Sequence, residues 1–232
     1  MKAIFHNQIW HLLAIFLLVG GLQIAVTHFG LIRYGSLWGL QTRIWFWLAI
    51  LIPILHQIYV WLVWRLELYQ QTFTLRYGLS KAFKGYSIGF SLLFVGRLIL
   101  VIVLAISDPN TLPLPPLVAT LISVFITIPV IYLFYSVKKY FTLERAFGMD
   151  HFDRNYSKKK FERRGIFQYT DNAMYIFGLM VLYLPGLLFL SQLALIVALF
   201  NHLYIWVHYY CTELPDMQEI YSQTEFTTLT KP

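Results

Sequence analysis

Charge is scarce in this chain, and that scarcity narrows what the chain is. Only 12% of its 232 residues are charged, against roughly 25% in an average soluble domain, while 58% are hydrophobic and 18% aromatic. A water-soluble core of this length has too little interior for so many Leu, Ile, Phe, Tyr and Trp side chains. Lipid is therefore expected to be the main solvent. The single cysteine, Cys211, excludes an internal disulfide framework and a thiol cluster for zinc. It reads as a small buried apolar residue, and no metal site is expected. No Gly-x-Gly-x-x-Gly fingerprint follows a strand-like run, which excludes a Rossmann route to a nucleotide cofactor.

What the chain does have is long apolar runs. About 20 helical residues cross a hydrocarbon core roughly 30 Å thick. Four runs of that kind cover residues 9–32, 44–63, 88–106 and 117–137. Residues 173–210 contain no Lys, Arg, Asp or Glu, and as one helix they would extend roughly 57 Å. That stretch must fold back once, with Pro185-Gly186 and Ser191-Gln192 as candidate turn positions. The expectation is an all-α polytopic transmembrane bundle of about six helices ending in a helical hairpin. The first run is too long for a signal peptide and lacks a strongly basic start and an obvious cleavage site, so it is expected to be retained. The chain divides into residues 1–137, holding the first four helices, and residues 138–232, holding a basic loop and the hairpin.

The net charge of +7 is concentrated. Arg65, Arg76, Lys81 and Lys84 lie between the second and third runs. Lys138, Lys139, Arg145, Arg154, Lys158, Lys159, Lys160, Arg163 and Arg164 lie between the fourth and fifth. Residues 107–116 hold no basic residue. Lys and Arg in short loops stay cytoplasmic, so both basic loops, both termini and the active end are expected on the cytoplasmic side; Arg33 and Arg43 run against that bias. The cluster at 158–164 lacks stacking aromatics beyond Tyr156 and Phe161, so no nucleic-acid partner is expected. It serves either as the orientation signal alone or as a contact for anionic lipid head groups, worth on the order of 1 kcal/mol per charge.

Polar residues inside apolar runs mark candidate chemistry. At 100° per residue His202, Trp206, Tyr209 and Glu213 share one face of the last helix, and Asn201 and His208 share an adjoining one. An interfacial aromatic belt accounts for Tyr209 and Tyr210, whereas Asn201 and His202 lie deeper and need protein or ligand partners. Thr170, Asp171 or Asn172 is placed to cap the fifth helix, whose amides would attract a carboxylate or a phosphate. Arg97, inside the third run, needs a carboxylate, a carbonyl or a head group; Asp108 is a mate only if it folds back, and gripping a lipid phosphate is the functional alternative. Nothing in the sequence fixes an oligomeric state.

Residues 165–175, the hairpin, Asn201-His202 and Glu213-Leu214-Pro215-Asp216-Met217 together resemble the isoprenylcysteine carboxyl methyltransferase and phospholipid N-methyltransferase superfamily. In that family a Gly-x-x-x-Tyr-x-Arg-Asn/His-Pro-x-Tyr segment precedes the hairpin and a Glu-x-Pro-like segment follows it. The stretch from Tyr140 to His151 resembles the family's lead-in. The resemblance implies an S-adenosyl-L-methionine site and carries over Gly165, Tyr169, Asn172 and Tyr175 from the first segment and His202, Glu213 and Pro215 from the second; Gly178, Asn201 and His208 are further candidate cofactor-binding residues. Gly178 is either room for an adenosine or a close helix contact. Asp171 stands where the family has Arg, and Ala173 where it has Pro.

Methyl transfer from a sulfonium requires alignment and exclusion of water. Glu213 and His202 are the candidate catalytic groups that take the proton of an amine acceptor, with binding of a ribose or an ammonium the other role for Glu213. Tyr175, Trp206 and Tyr209 are candidates for cation-π contact with sulfonium or ammonium, at about 0.5 to 2 kcal/mol each. Arg97, Trp206 and Tyr209 are the candidate residues toward a membrane lipid substrate. Phosphatidylethanolamine-type N-methylation is the first expectation and an isoprenoid carboxylate the second. An NADPH-dependent sterol-type reductase and a non-catalytic lipid-binding relative are the rival classes, separated by cofactor preference.

Overall fold

The computed structural model describes residues 2–32, 35–159 and 162–222. Arg33, Lys160, Phe161 and the polar tail beyond Ser222 lie outside the described residues. The long helices are α1 (Gln8–His28), α2 (Thr42–Gln70), α4 (Leu79–Ser107), α5 (Pro116–Ser136) and α8 (Gln192–His208), with shorter α3 (Thr72–Tyr77), α6 (Leu143–Ala146), α7 (Tyr183–Leu188) and α9 (Leu214–Tyr221). A two-residue ribbon pairs β1 (Ser36–Leu37) with β2 (Leu40–Gln41). The protein is an all-α polytopic helical bundle and an integral membrane protein. Five helical stretches are long and apolar enough to cross a membrane: Gln8–His28, Thr42–Gln70, Leu79–Ser107, Pro116–Phe141 and Gln192–Tyr221. Their outward faces are large apolar side chains such as Phe16, Leu17, Ile24 and Phe125, which the bilayer covers at no cost. Inward, Phe46, Val101, Leu104, Leu193, Val197 and Tyr204 form the core where α2, α4 and α8 meet.

The first arm of the hairpin differs from a plain helix. Met174–Leu188 is shorter than the long spans and changes pitch twice, from a π turn (Met174–Gly178) to a 3-10 turn (Leu179–Leu182) to α7. The expected cap did not form there: the 170–172 segment closes on itself, with Thr170 Oγ1 accepting from the Asn172 amide at 3.2 Å, and Ala173 takes the cap position without a side-chain bond. The reversal falls at Phe189 to Ser191. Leu190 adopts φ +52°, and Ser191 caps α8 by accepting from the Ala194 amide. Pro185 and Gly186 stay inside α7, where the bare Gly186 admits Leu195, whose side chain would lie 2.6 Å from an added Cβ.

Polar contacts collect at the two ends of the bundle. At one end Thr42 donates to the Ser107 carbonyl at 2.8 Å. There the Asp108 carboxylate accepts from Thr111, Ser191 and the Leu193 amide, which pins the 107–112 loop to the start of α8. At the other end lie the N-terminus, both basic segments and α9. Arg65, fully buried, donates to Asp216 at 3.0 Å and to the carbonyls of Ile4 and Cys211, each at 3.0 Å. The Cys211 carbonyl is free for this because Pro215, four residues on, has no N–H to offer it; Gln8 also donates to it at 3.1 Å.

Candidate active site

A cavity of about 490 Å³ opens among α2, α4, α5, the 141–150 segment, the 171–179 segment and the last helix. This size falls within the usual range for small-molecule sites, roughly 300 to 1,000 Å³. The helical period presents His56, Gln57, Val60 and Trp64 from α2, and Phe90, Phe94 and Arg97 from α4. Phe94 and Phe134 line the cavity while remaining 36% and 49% exposed, so between α4 and α5 the cavity wall is also the lipid-facing surface.

The last helix reaches the cavity through a change of pitch. Tyr209–Glu213 is a π turn, which puts an extra residue into one turn and rotates every later side chain about the axis. Ile205, His208, Tyr209, Glu213, Leu214 and Met217 therefore line the cavity. Oε2 of Glu213 and Nδ1 of His208 are shielded from solvent and have no hydrogen-bond partner. Tyr175 and Tyr209 meet at 5.7 Å between ring centres, and Trp206 packs against both, at 6.0 and 5.7 Å. These rings form an aromatic corner next to Glu213.

The 141–150 segment closes the end of the cavity nearest the basic loops. Asp150 is buried; Tyr221 donates to its Oδ2, Arg145 lies 3.7 Å away, and its Oδ1 has no partner. Gly148, at φ +83°, lies so close to the Trp64 indole that an added Cβ would overlap the ring. Trp64 in turn stacks on His151 at 4.0 Å, and His151 lies 3.6 Å from Asp216. This chain of contacts fixes the cavity's rim to the Arg65–Asp216 pair. Farther out in the basic loop, hydrogen bonds from Arg164 hold the Glu162 carboxyl down at about 2, which offsets one of the loop's positive charges.

The residues singled out in the sequence separate into two groups. Asn172, Tyr175, Gly178, His208, Tyr209, Glu213 and Arg97 line the cavity, as does Asp171. Gly165, Tyr169, Asn201, His202, Trp206 and Pro215 do not. Gly165, at φ +63°, lies against Ser136, whose hydroxyl accepts from the Ile166 amide at 3.0 Å, so this glycine shapes a turn. Tyr169 points outward, 72% exposed. Asn201 bonds back to the Val197 carbonyl at 2.9 Å. His202 faces Tyr183 on the hairpin's other arm, 5.8 Å away, about two turns along the helix from Tyr209, where that face reaches the cavity. Pro215 acts through the carbonyl that it frees.

Sequence reasoning missed His56, Gln57, Trp64, Arg145 and Asp150, all of which line the cavity. The rule that drew attention to Arg97, a polar group inside an apolar run, applies equally to His56 and Gln57 and would have found them.

Compared with known proteins, residues 116–224 match the family model described as phospholipid methyltransferase. No curated protein and no solved structure matches the chain.

Proposed function

We infer, from the match of residues 116–224 to the phospholipid methyltransferase family, that this membrane protein is a methyltransferase that uses S-adenosyl-L-methionine to methylate the amine of a phosphatidylethanolamine-type lipid. The observation that carries the reading is the unpartnered Oε2 of Glu213 on the same cavity as the facing rings of Tyr175 and Tyr209, a cavity whose wall reaches the lipid-facing surface.

The residues present fit the donor. A shielded carboxylate without a partner is costly unless a ligand satisfies it, and Glu213 suits an ammonium or a pair of ribose hydroxyls. The aromatic corner suits a sulfonium, with each ring worth about 0.5 to 2 kcal/mol. Gly178 lines the cavity where it packs closely on α5, an added Cβ lying 3.2 Å from Leu133. When bound, S-adenosyl-L-methionine supplies a methyl group on a positively charged sulfur.

The chain's own part is positioning and proton handling. Tyr175 and Tyr209 hold cationic groups against their faces. Phe90, Phe94, Phe134 and Leu133 exclude water from the reacting atoms. The Glu213 carboxylate takes the proton that an ammonium acceptor must lose before its nitrogen has a lone pair to offer. The acceptor enters sideways between α4 and α5, while the soluble donor arrives at the end where the basic loops gather. That end is cytoplasmic in this reading, and the exposed lysines and arginines of residues 138–164 lie on anionic head groups.

Calorimetry on the detergent-purified protein with S-adenosyl-L-methionine, S-adenosylhomocysteine and NADPH tests the proposal. Binding of the first two, together with methyl incorporation into phosphatidylethanolamine, is expected. NADPH binding in their place would assign a reductase, and silence with all three a non-catalytic relative.

A further inference from the structure

The walls supplied by α2 and α4 lie outside the family match, yet they carry buried polar groups with few partners or none. Arg97 is only 3% exposed. Its Nη2 donates to the Pro53 carbonyl at 3.3 Å, and its Nε has no partner. No carboxylate pairs with it among the described residues. Asp108, the acid next after it along the chain, is engaged by Thr111, Ser191 and the Leu193 amide. His56, 2% exposed, has both ring nitrogens unpartnered and sits edge-on to Phe90 at 4.6 Å. Gln57 lies beside it on the same cavity wall.

A guanidinium shut inside a membrane-embedded cavity with one weak carbonyl contact is missing its counter-charge. The donors around it come from two helices and converge on the space that Glu213 also lines. An anion supplied by a ligand would complete them. The charge pattern adds a constraint, since a cation at Arg97 and a carboxylate at Glu213 on one cavity complement a head group that carries an oxyanion and an ammonium a short distance apart.

We propose that His56, Gln57 and Arg97 form an oxyanion site that holds the phosphate of the acceptor lipid and so directs its amine to Glu213. This deepens the methyltransferase reading and rests on it. The phosphate accepts from the Arg97 guanidinium, the Gln57 amide and a ring N–H of His56. Acceptor choice is then set by helices that the family pattern does not describe.

The test is binding of short-chain phosphatidylethanolamine and, in parallel, of S-adenosylhomocysteine to the full-length protein in detergent, for wild type, Arg97→Gln, Arg97→Lys and His56→Leu. Sphingosine serves as a lipid amine without phosphate. Arg97→Gln is expected to weaken phosphatidylethanolamine about tenfold or more, the scale of one lost charge-assisted hydrogen bond, and to leave sphingosine and S-adenosylhomocysteine within twofold. Arg97→Lys is expected to recover part of the loss. His56→Leu is expected to weaken the phospholipid about threefold, which keeps the site testable if Arg97→Gln does not fold. Unchanged phospholipid affinity in Arg97→Gln or in His56→Leu overturns the proposal. So does loss of S-adenosylhomocysteine with the phospholipid unaffected, which assigns the guanidinium to the donor's carboxylate. If wild type binds no S-adenosylhomocysteine the methyltransferase reading fails, while a phospholipid loss confined to the variants still supports the oxyanion site.

Discussion

The two walls of the cavity treat their polar groups differently. On the wall built from residues 133–217, Asp150 is bonded by Tyr221, and Asp216 by Arg65 with His151 nearby. What is left over are single atoms, Oε2 of Glu213, Nδ1 of His208 and Oδ1 of Asp150 on the cavity, with Nε2 of His151 and Oδ1 of Asn201 behind it. On the wall built from α2 and α4, Arg97 has one carbonyl and His56 nothing. A satisfied network holds its geometry without a ligand, so the first wall is preorganised, and the second is completed by whatever enters. The contrast tracks the family match, which covers the first wall and stops short of the second. In the function proposed above, methyl transfer falls on the preorganised side and choice of acceptor on the other.

Substitutions that break this comparison should do so in a definite order. The largest effect is expected at the joint between the two halves. Arg65→Met leaves Asp216 buried with no cation bonded to it, and should cost about 3 to 5 kcal/mol, read as a lower thermal midpoint in detergent. Adding Asp216→Leu should restore most of the loss. An additive double variant would show that the pair is not the joint.

Next comes Glu213→Gln, which keeps the shape and removes the charge. Methyl transfer to phosphatidylethanolamine should fall about a hundredfold, within the usual range for losing a proton-transfer group, while the folded state is retained. A variant that keeps more than half of the wild-type turnover would move proton handling to another residue. Tyr209→Leu opens the aromatic corner and should weaken S-adenosylhomocysteine or S-adenosyl-L-methionine by about 0.5 to 2 kcal/mol; the charged donor should lose more than the neutral product, because only the donor carries the sulfonium. The smallest effect is expected at His202. Placed outside the cavity against Tyr183, its change to Leu should alter turnover less than twofold. A loss comparable to that of Glu213→Gln would return it to the site.

Much of this was legible in the sequence because the bilayer makes blunt demands. Uncharged runs of the right length became helices: residues 117–137 correspond to α5 and the start of the π turn after it, while 44–63 and 88–106 lie inside the longer α2 and α4, which continue past the apolar runs into the basic segment. The fold-back within 173–210 took place at Ser191, one of its two expected positions. The broken arm at Met174–Leu188 was not legible, since its pitch comes from packing on α5 and α8 and not from its own composition. Within the candidate site, Glu213, Asn172 and Tyr175 were reachable through the motif that carries them. His202 and Trp206 were grouped with Tyr209 and Glu213 because they share one helical face, but a shared face does not put residues at one depth, and His202 lies about two turns along the axis from Tyr209, where the helix reaches the cavity.

The sequence alone determined that this chain lives in a membrane, which segments are apolar and long enough to cross it and which residues are too polar to face lipid. Each of these comes from transfer costs that act residue by residue. Only the tertiary structure decided which polar residues share a space. His56, Arg97 and Glu213 are separated by long stretches of chain, and their convergence depends on how α2, α4 and the last helix pack, on the carbonyl freed by Pro215 and on one wide helical turn. Those are properties of the assembled bundle, because a side chain's direction depends on every turn between it and the rest of the site.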